Sequence, residues 1–463
     1  MTSTYAASNS AMSNDIIPPR IKTLWSIGAL GVYFMVNAVA GFVVIYMVTI
    51  LKIDPWIAGL VAFLPKIFDA FSDPLVGGWS DRLNVKGSRR RPFLIAGAIL
   101  SSLSFMMIFM TPVFENTNYS ALFIFIALML FSFGYTLFNI PYLAMPAEMT
   151  EDYHERTSIH SYRVVAFSIG GLVTGVSIPL LLQTMGEDSW NTYAFIGAAG
   201  AVLIFTTMLI TWYGTKHAKF STTPIERPKI FAELGHVFSN KHFLRLLGVK
   251  FCQLFGIAAT IVALPFLIRN VMQLDYGILA LYFVVSGIVS IIAAPVLLKL
   301  SRRIGKSRTY MVSAFCYVIA VSSWFLVQPG EPTWTILIRA FFIGIATTGN
   351  VMMAMSMLTD IINYDSRLHD VRREGIFTAF YSFVEKFTFA FGPLVVGVAL
   401  SVAGFDKSLA TDAVQSPQVR QAILLGMSYI PAVMGLLSIW LLKGYKLTEA
   451  DLKPVPNNAY ELD

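Results

Sequence analysis

Twelve stretches of mostly apolar residues, each about the 20 to 25 positions that a helix needs to cross the hydrocarbon of a bilayer, recur along this chain. In lipid no backbone N–H or C=O can be left unpaired, so stretches of this length must form helices that pack on one another. The first six run over 24–50, 56–79, 93–112, 121–145, 162–182 and 193–213. The second six run over 243–268, 277–298, 310–327, 335–361, 376–403 and 422–442. These spans use most of the 463 residues, and no separate soluble domain fits. Composition agrees: 56% of the residues are hydrophobic and 13% charged, against roughly 25% charged in a soluble domain. The expectation is an all-α membrane protein.

The basic residues decide orientation, because Lys and Arg concentrate in loops that stay in the cytoplasm. Of 34 Lys and Arg, 25 fall in alternate loops and tails that would share one side, and the opposite loops hold only Lys52, Arg269, Lys407 and Arg420. Both termini are therefore expected in the cytoplasm. The net charge of +7 marks loops rather than a nucleic-acid face. Cys252 and Cys316 lie in apolar runs, which excludes a disulfide framework and a four-ligand zinc site. The chain also has no nucleophile elbow or P-loop, so an enzyme is not expected.

The stretch from Lys216 to Lys241, with Pro224 and Pro228, is the longest connection on the basic side and divides the spans six plus six. A weak internal echo supports two halves. The segment 77–91 follows the second span, and KLSRRIGKSR at 299–308 follows the eighth. Parallel repeats of this kind build one large group of secondary transporters, with the substrate site at the midplane between them. The expected layout is a disordered cytoplasmic tail at 1–22, a six-helix bundle at 23–215, a cytoplasmic linker at 216–242, a second bundle at 243–445 and a tail at 446–463. The start lacks the basic and apolar regions of a signal peptide.

Charges inside spans are the informative residues, since each costs at least about 2.5 to 3.5 kcal/mol at the bilayer centre. The second span reads LPKIFDAFSDPLVGGWSDR, which sets Lys66, Asp69 and Asp73 along one helix face. Two carboxylates on one stripe should line a cavity, hold a cation or share protons; an ion pair of Lys66 with one Asp is the structural alternative. Lys386 in the eleventh span lies about 16 Å from the nearer helix end and can face the acidic pair from the other half. It would satisfy the carboxylates until an external cation arrives. Glu385 points elsewhere, toward a neighbouring helix.

In the fourth span Thr136, Asn139 and Tyr142 are three apart, and Thr136 either offers a neutral oxygen suited to a hard cation or bonds only to a carbonyl of its own helix. Arg163 at the start of the fifth span is a substrate-facing cation or a snorkelling anchor. Gly77, Asp81, Arg82, Arg89, Arg90 and Arg91 read as a cytoplasmic gate.

These residues resemble the glycoside-pentoside-hexuronide:cation symporters, the branch of the major facilitator superfamily that includes the melibiose permease. The match lies in DAFSDPLVGGWSDR followed by GSRRRP at 69–92, in YTLFNIPY at 135–142, in SYR ending at Arg163, and in the Glu374 to Lys386 spacing. The resemblance implies two six-helix bundles, alternating access, a cation site at Asp69 and Asp73 with Thr136 and Ser72 nearby, and coupling through Lys386 and Lys66. It further implies a bacterial inner-membrane monomer, no cofactor, Na⁺ or H⁺ as coupling ion, and a sugar or glycoside bound through Tyr33, Asp69, Asp73, Asn139, Tyr142, Arg163 and Lys386. The family pattern has Asp at the positions of Tyr33 and Asn139, Trp at Leu143, and Asn at Ser72 in sodium-using members. These departures point to a less polar ligand, such as an aryl glycoside. The alternative cargo is a lysolipid or another amphipathic molecule.

Overall fold

The computed structural model describes residues 17–82, 90–150, 153–216, 235, 238–369, 374–409, 413–445 and 447. Among them every long element is a helix, and 12 are long and apolar enough to cross a membrane. The first six are α1 (Pro19–Thr49), α2 (Pro55–Arg82), α3 (Arg91–Phe109), α4 (Thr117–Met149), α5 (Tyr153–Met185) and α6 (Trp190–Gly214). The second six are α7 (Lys241–Val271), α8 (Gly277–Ile304), α9 (Lys306–Leu326), α10 (Thr333–His369), α11 (Glu374–Val402) and α12 (Pro417–Lys443). Local chemistry sets several starts. Asn116 accepts from the Asn118 N–H, Asn240 from those of His242 and Phe243, and Ser416 from that of Val419, each satisfying donors that a helix start leaves free. Gly305, at φ 88°, occupies the left-handed region and lets α9 begin immediately after α8.

Helix ends differ from the expected spans because buried polar contacts extend them beyond the lipid-facing run. α1 starts at Pro19, inside the segment expected to be a disordered tail at 1–22. Proline suits the first helical turn. Lys22 is buried and pairs with Glu155 of α5 at 2.7 Å, and the Ile17 N–H donates to the same carboxylate at 3.1 Å.

The pairing of helices repeats between halves. In the first, α1 packs on α5 and α6, α3 on α4 and α6, and α2 on α4. In the second, α7 packs on α11 and α12, α9 on α10 and α12, and α8 on α10. Adding six to each number converts one scheme into the other. The halves meet where α2 lies on α11, α5 on α8 and α1 on α7. The first two seams exchange under the same operation, the mark of a pseudo-two-fold arrangement.

Ion pairs repeat as well. Arg90, ahead of α3, pairs with Glu148 of α4 at 2.8 Å, and Lys306, at the start of α9, pairs with Asp360 of α10 at 2.6 Å. Bulky aromatics fill the interior, including Trp25, Tyr46, Tyr142, Tyr193, Tyr310 and Trp324, while Leu122, Val202, Ile319, Phe341 and Trp440 lie exposed on the outer helix faces. Without water around it, that surface needs no polar cover.

Candidate functional site

Asp69 and Asp73 are one turn apart on α2, which directs both carboxylates at α4. There the Thr136 hydroxyl donates to Asp69 Oδ1 at 2.6 Å and lies 3.0 Å from Asp73 Oδ1. One hydroxyl has one proton, so the second approach is shared rather than a full hydrogen bond. Ser72 donates to the Asp69 carbonyl at 3.2 Å, with its hydroxyl 3.4 Å from that of Thr136. Three side-chain oxygens thus converge within hydrogen-bond distance, with a fourth close by, and Asp69 is only 1% exposed.

Lys386 approaches from α11, across the seam between halves. Its ammonium pairs with Asp73 Oδ2, stands 3.7 Å from Asp69 Oδ2 and lies 5.3 Å from the centre of the Tyr135 ring. The Oδ2 atoms therefore face the lysine and the Oδ1 atoms face Thr136. Lys66 is partly buried and has no carboxylate within 4.0 Å among the described residues. Glu385 turns away to Lys250 of α7 at 2.6 Å, and Lys250 also sits over the Tyr381 ring at 3.2 Å. Two carboxylates share one directly paired ammonium, with Lys66 close enough to act on both electrostatically but outside ion-pair contact, so the Oδ1 side of the cluster has no cation in contact and can take an ion or a proton.

The residues expected to bind substrate scatter more widely. Asn139 donates to the Tyr135 hydroxyl at 3.0 Å, while its own side-chain oxygen is buried with no hydrogen-bond partner among the described residues. Tyr142 is fully buried, its ring stacked on Trp25 at 4.5 Å and Phe138 at 5.4 Å, so it packs inside the first half. Arg163 caps the Phe167 ring at 5.9 Å, and Phe167 lies against Tyr33 with centroids 3.6 Å apart. Tyr33 and Phe167 in turn line a cavity of about 390 Å³ between the halves, whose far wall is formed by α7 to α10. Sequence reasoning passed over this wall because isolated Ser, Thr and Tyr in apolar helices carry no distinguishing pattern.

Of the gate residues, Arg90 pairs with Glu148 inside the first half, and Arg91 donates to the Trp212 carbonyl at 2.9 Å while lying over its ring at 4.8 Å. Gly77 faces Ile140 of α4. Arg89 and the side chains of Asp81 and Arg82 lie outside the described residues.

A buried charge cluster joined by side chains from two matched six-helix bundles fits a membrane carrier of the major facilitator fold, with its central site between the halves. Residues 24–449 match the family model described as MFS/sugar transport protein, and the chain belongs to that family, within its glycoside-pentoside-hexuronide:cation symporter branch. It is similar to the glucuronide carrier protein homolog of Escherichia coli (strain K12), 24% identical with 93% of each chain covered. It is also similar to the isoprimeverose transporter of Lactiplantibacillus pentosus, 22% identical with 96% of this chain and 92% of that one covered. The crystal structure of a D-xylose-proton symporter has the same fold, with a TM-score of 0.66, 14% identity, and coverage of 94% of this chain and 99% of that one.

Proposed function

We propose that this protein carries a sugar or glycoside across the inner membrane of a bacterium, coupled to Na⁺ or H⁺, by alternating access. The observation that carries this reading is the arrangement of Asp69, Asp73 and Thr136 around one point, with Lys386 of the opposite half as their fixed cation. Without an ion, the lysine neutralises part of the cluster and ties α11 to α2. A cation or proton arriving on the Oδ1 side weakens the hold of the carboxylates on Lys386. The seam then becomes free to rearrange once cargo is also bound. Coupling of this kind is a difference in binding free energy between states, so ion and cargo must each tighten the other's binding.

Names of relatives support a sugar-like cargo, and the basic loops support cytoplasmic termini. In this reading Asn139, Tyr33 and Arg163 face the cargo, and the protein acts as a monomer with no bound cofactor. Uptake into proteoliposomes driven by a Na⁺ or pH gradient tests it. Asp73→Asn should cut gradient-driven uptake at least tenfold while leaving a folded protein, since Asp69, 3.7 Å from the Lys386 ammonium, still compensates that charge. Undiminished uptake in that variant would falsify the proposal. A second reading, transport of a lysolipid or another amphipathic molecule, is favoured by the largely apolar cavity wall. Competition between sugars and lysolipids for binding separates the two.

A further inference from the structure

The Ser and Thr hydroxyls lining the central cavity offer a ligand acceptor oxygens but no free protons. Thr260 donates to the Gly256 carbonyl at 2.9 Å, Ser286 to Phe283 at 3.2 Å, Ser290 to Ser286 at 2.7 Å, Thr347 to Ile343 at 2.7 Å and Ser168 to Val164 at 3.0 Å. Each single proton is held by the hydroxyl's own helix, as is common for Ser and Thr in apolar helices. What faces the cavity otherwise is hydrocarbon, from Leu172, Ile257, Ile261, Leu264, Val321 and Ile343, together with aromatic rings. A polyhydroxylated ring enclosed here could donate to these few hydroxyl oxygens but would otherwise face hydrocarbon and rings, leaving part of its hydroxyls unpaired, which is unfavourable.

The rings are placed on both sides of the space. Tyr33 and Phe167 come from the first half, and Tyr282, Phe283 and Tyr317 from the second. Small residues hold them there. A side chain at Gly171 would meet the Tyr33 ring at 2.6 Å, and one at Gly175 would meet Phe283 at 2.7 Å. The Tyr317 hydroxyl is buried next to Thr260, whose own proton goes to Gly256, so the Tyr317 phenol proton stays available at the wall. Polarity falls along a path: Arg163 caps Phe167, Phe167 touches Tyr33, and Tyr33 borders the apolar wall.

We propose that this cavity is an aglycone subsite: it takes the aromatic group of an aryl glycoside between Tyr33 and the Tyr282–Phe283–Tyr317 wall, while the sugar stays at the polar residues. The proposal rests on the glycoside reading above and narrows its cargo to glycosides whose non-sugar part is an aromatic ring. A polar substituent on that ring, or the glycosidic oxygen, is the partner for the Tyr317 phenol. Aromatic faces favour a ring over an alkyl chain through offset and edge-on contacts.

Binding of paired methyl and p-nitrophenyl glycosides of the same sugars to the full-length protein in detergent, by calorimetry, tests this. The panel comprises glucoside, galactoside, xyloside and glucuronide. For at least one sugar the aryl compound should bind about tenfold or more tighter than the methyl compound, the scale expected from burying one ring with aromatic contacts. Phe283→Ala should reduce that aryl-to-methyl ratio by about tenfold. Phe283→Leu, which keeps bulk but removes the ring, makes the same comparison if the alanine variant does not fold. Equal affinity for both members of every pair overturns the aglycone subsite while leaving glycoside transport standing. A lysophosphatidylcholine that outcompetes every aryl glycoside overturns both, as does absence of binding by any glycoside.

Discussion

At the scale of single residues, the proposed coupling makes Lys386 the point where ion and fold compete for the same carboxylates. Its ammonium serves Asp73 and, at 3.7 Å, Asp69, from a helix belonging to the other half. Removing one partner of a buried pair leaves uncompensated charge, typically about 3 to 5 kcal/mol. Lys386→Gln should therefore lower the melting temperature in ion-free buffer. The same change removes the internal competitor, so addition of Na⁺, or a lower pH, should raise the variant's melting temperature by more than it raises that of the parent. Thermal unfolding across an ion series reads both effects, and an ion response smaller than the parent's would contradict the competition. Thr136→Val keeps shape while removing the shared hydroxyl, and should weaken ion binding without disturbing the pairing of Lys386 with Asp73. Titration calorimetry with the ion measures it.

Helices show how far sequence reasoning reaches. Asp69, Asp73 and Lys386 were legible because charge in an apolar run is expensive and spacing fixes which charges share a face. Glu148 was not singled out: it lies at a helix end, where acidic residues are ordinary, and only the fold brings it to Arg90. Tyr142 shared a helix side with Thr136 by spacing, yet the stacking of Trp25 and Phe138 takes it into the bundle interior. The internal echo of basic loops has a structural counterpart, since each loop sends a cation to an acidic residue in the C-terminal part of a neighbouring helix of its own half. These two ties should not be equal. Arg90 and Glu148 are each 4% exposed, whereas Lys306 is 41% exposed. Glu148→Ala should thus destabilise by about 3 to 5 kcal/mol. Asp360→Ala should cost nearer the 0 to 1 kcal/mol of a surface pair. Unfolding midpoints of the two variants check the order.

For the whole molecule, the ties between halves other than Lys386 gather, among the described residues, on the face opposite the start of α1 and the end of α12. Arg269 pairs with Glu187, Lys407 with Asp54 at 2.6 Å, and a side chain at Gly59 of α2 would meet the Pro393 carbonyl of α11 at 2.6 Å. Closure on that face thus depends on ion pairs and on backbone approach that only a glycine permits. Gly59→Leu should hold this face open. A cysteine at Tyr33, in a background lacking Cys252 and Cys316, should then react with an impermeant thiol reagent from that side several-fold faster than in the same background with Gly59; equal rates would count against the closure. Glu187→Gln should increase labelling more than Asp54→Asn, because the Arg269 pair is the more buried.

The two seams that exchange under the six-helix repeat differ in chemistry: α2 against α11 holds ionisable groups, while α5 against α8 presents glycines and rings. On the coupling and the subsite proposed above, a duplicated scaffold separates its motor from its keyhole. Drift along the second seam can retune which molecules the carrier accepts without touching the first, so relatives of one architecture can diversify in diet while keeping a common energy source.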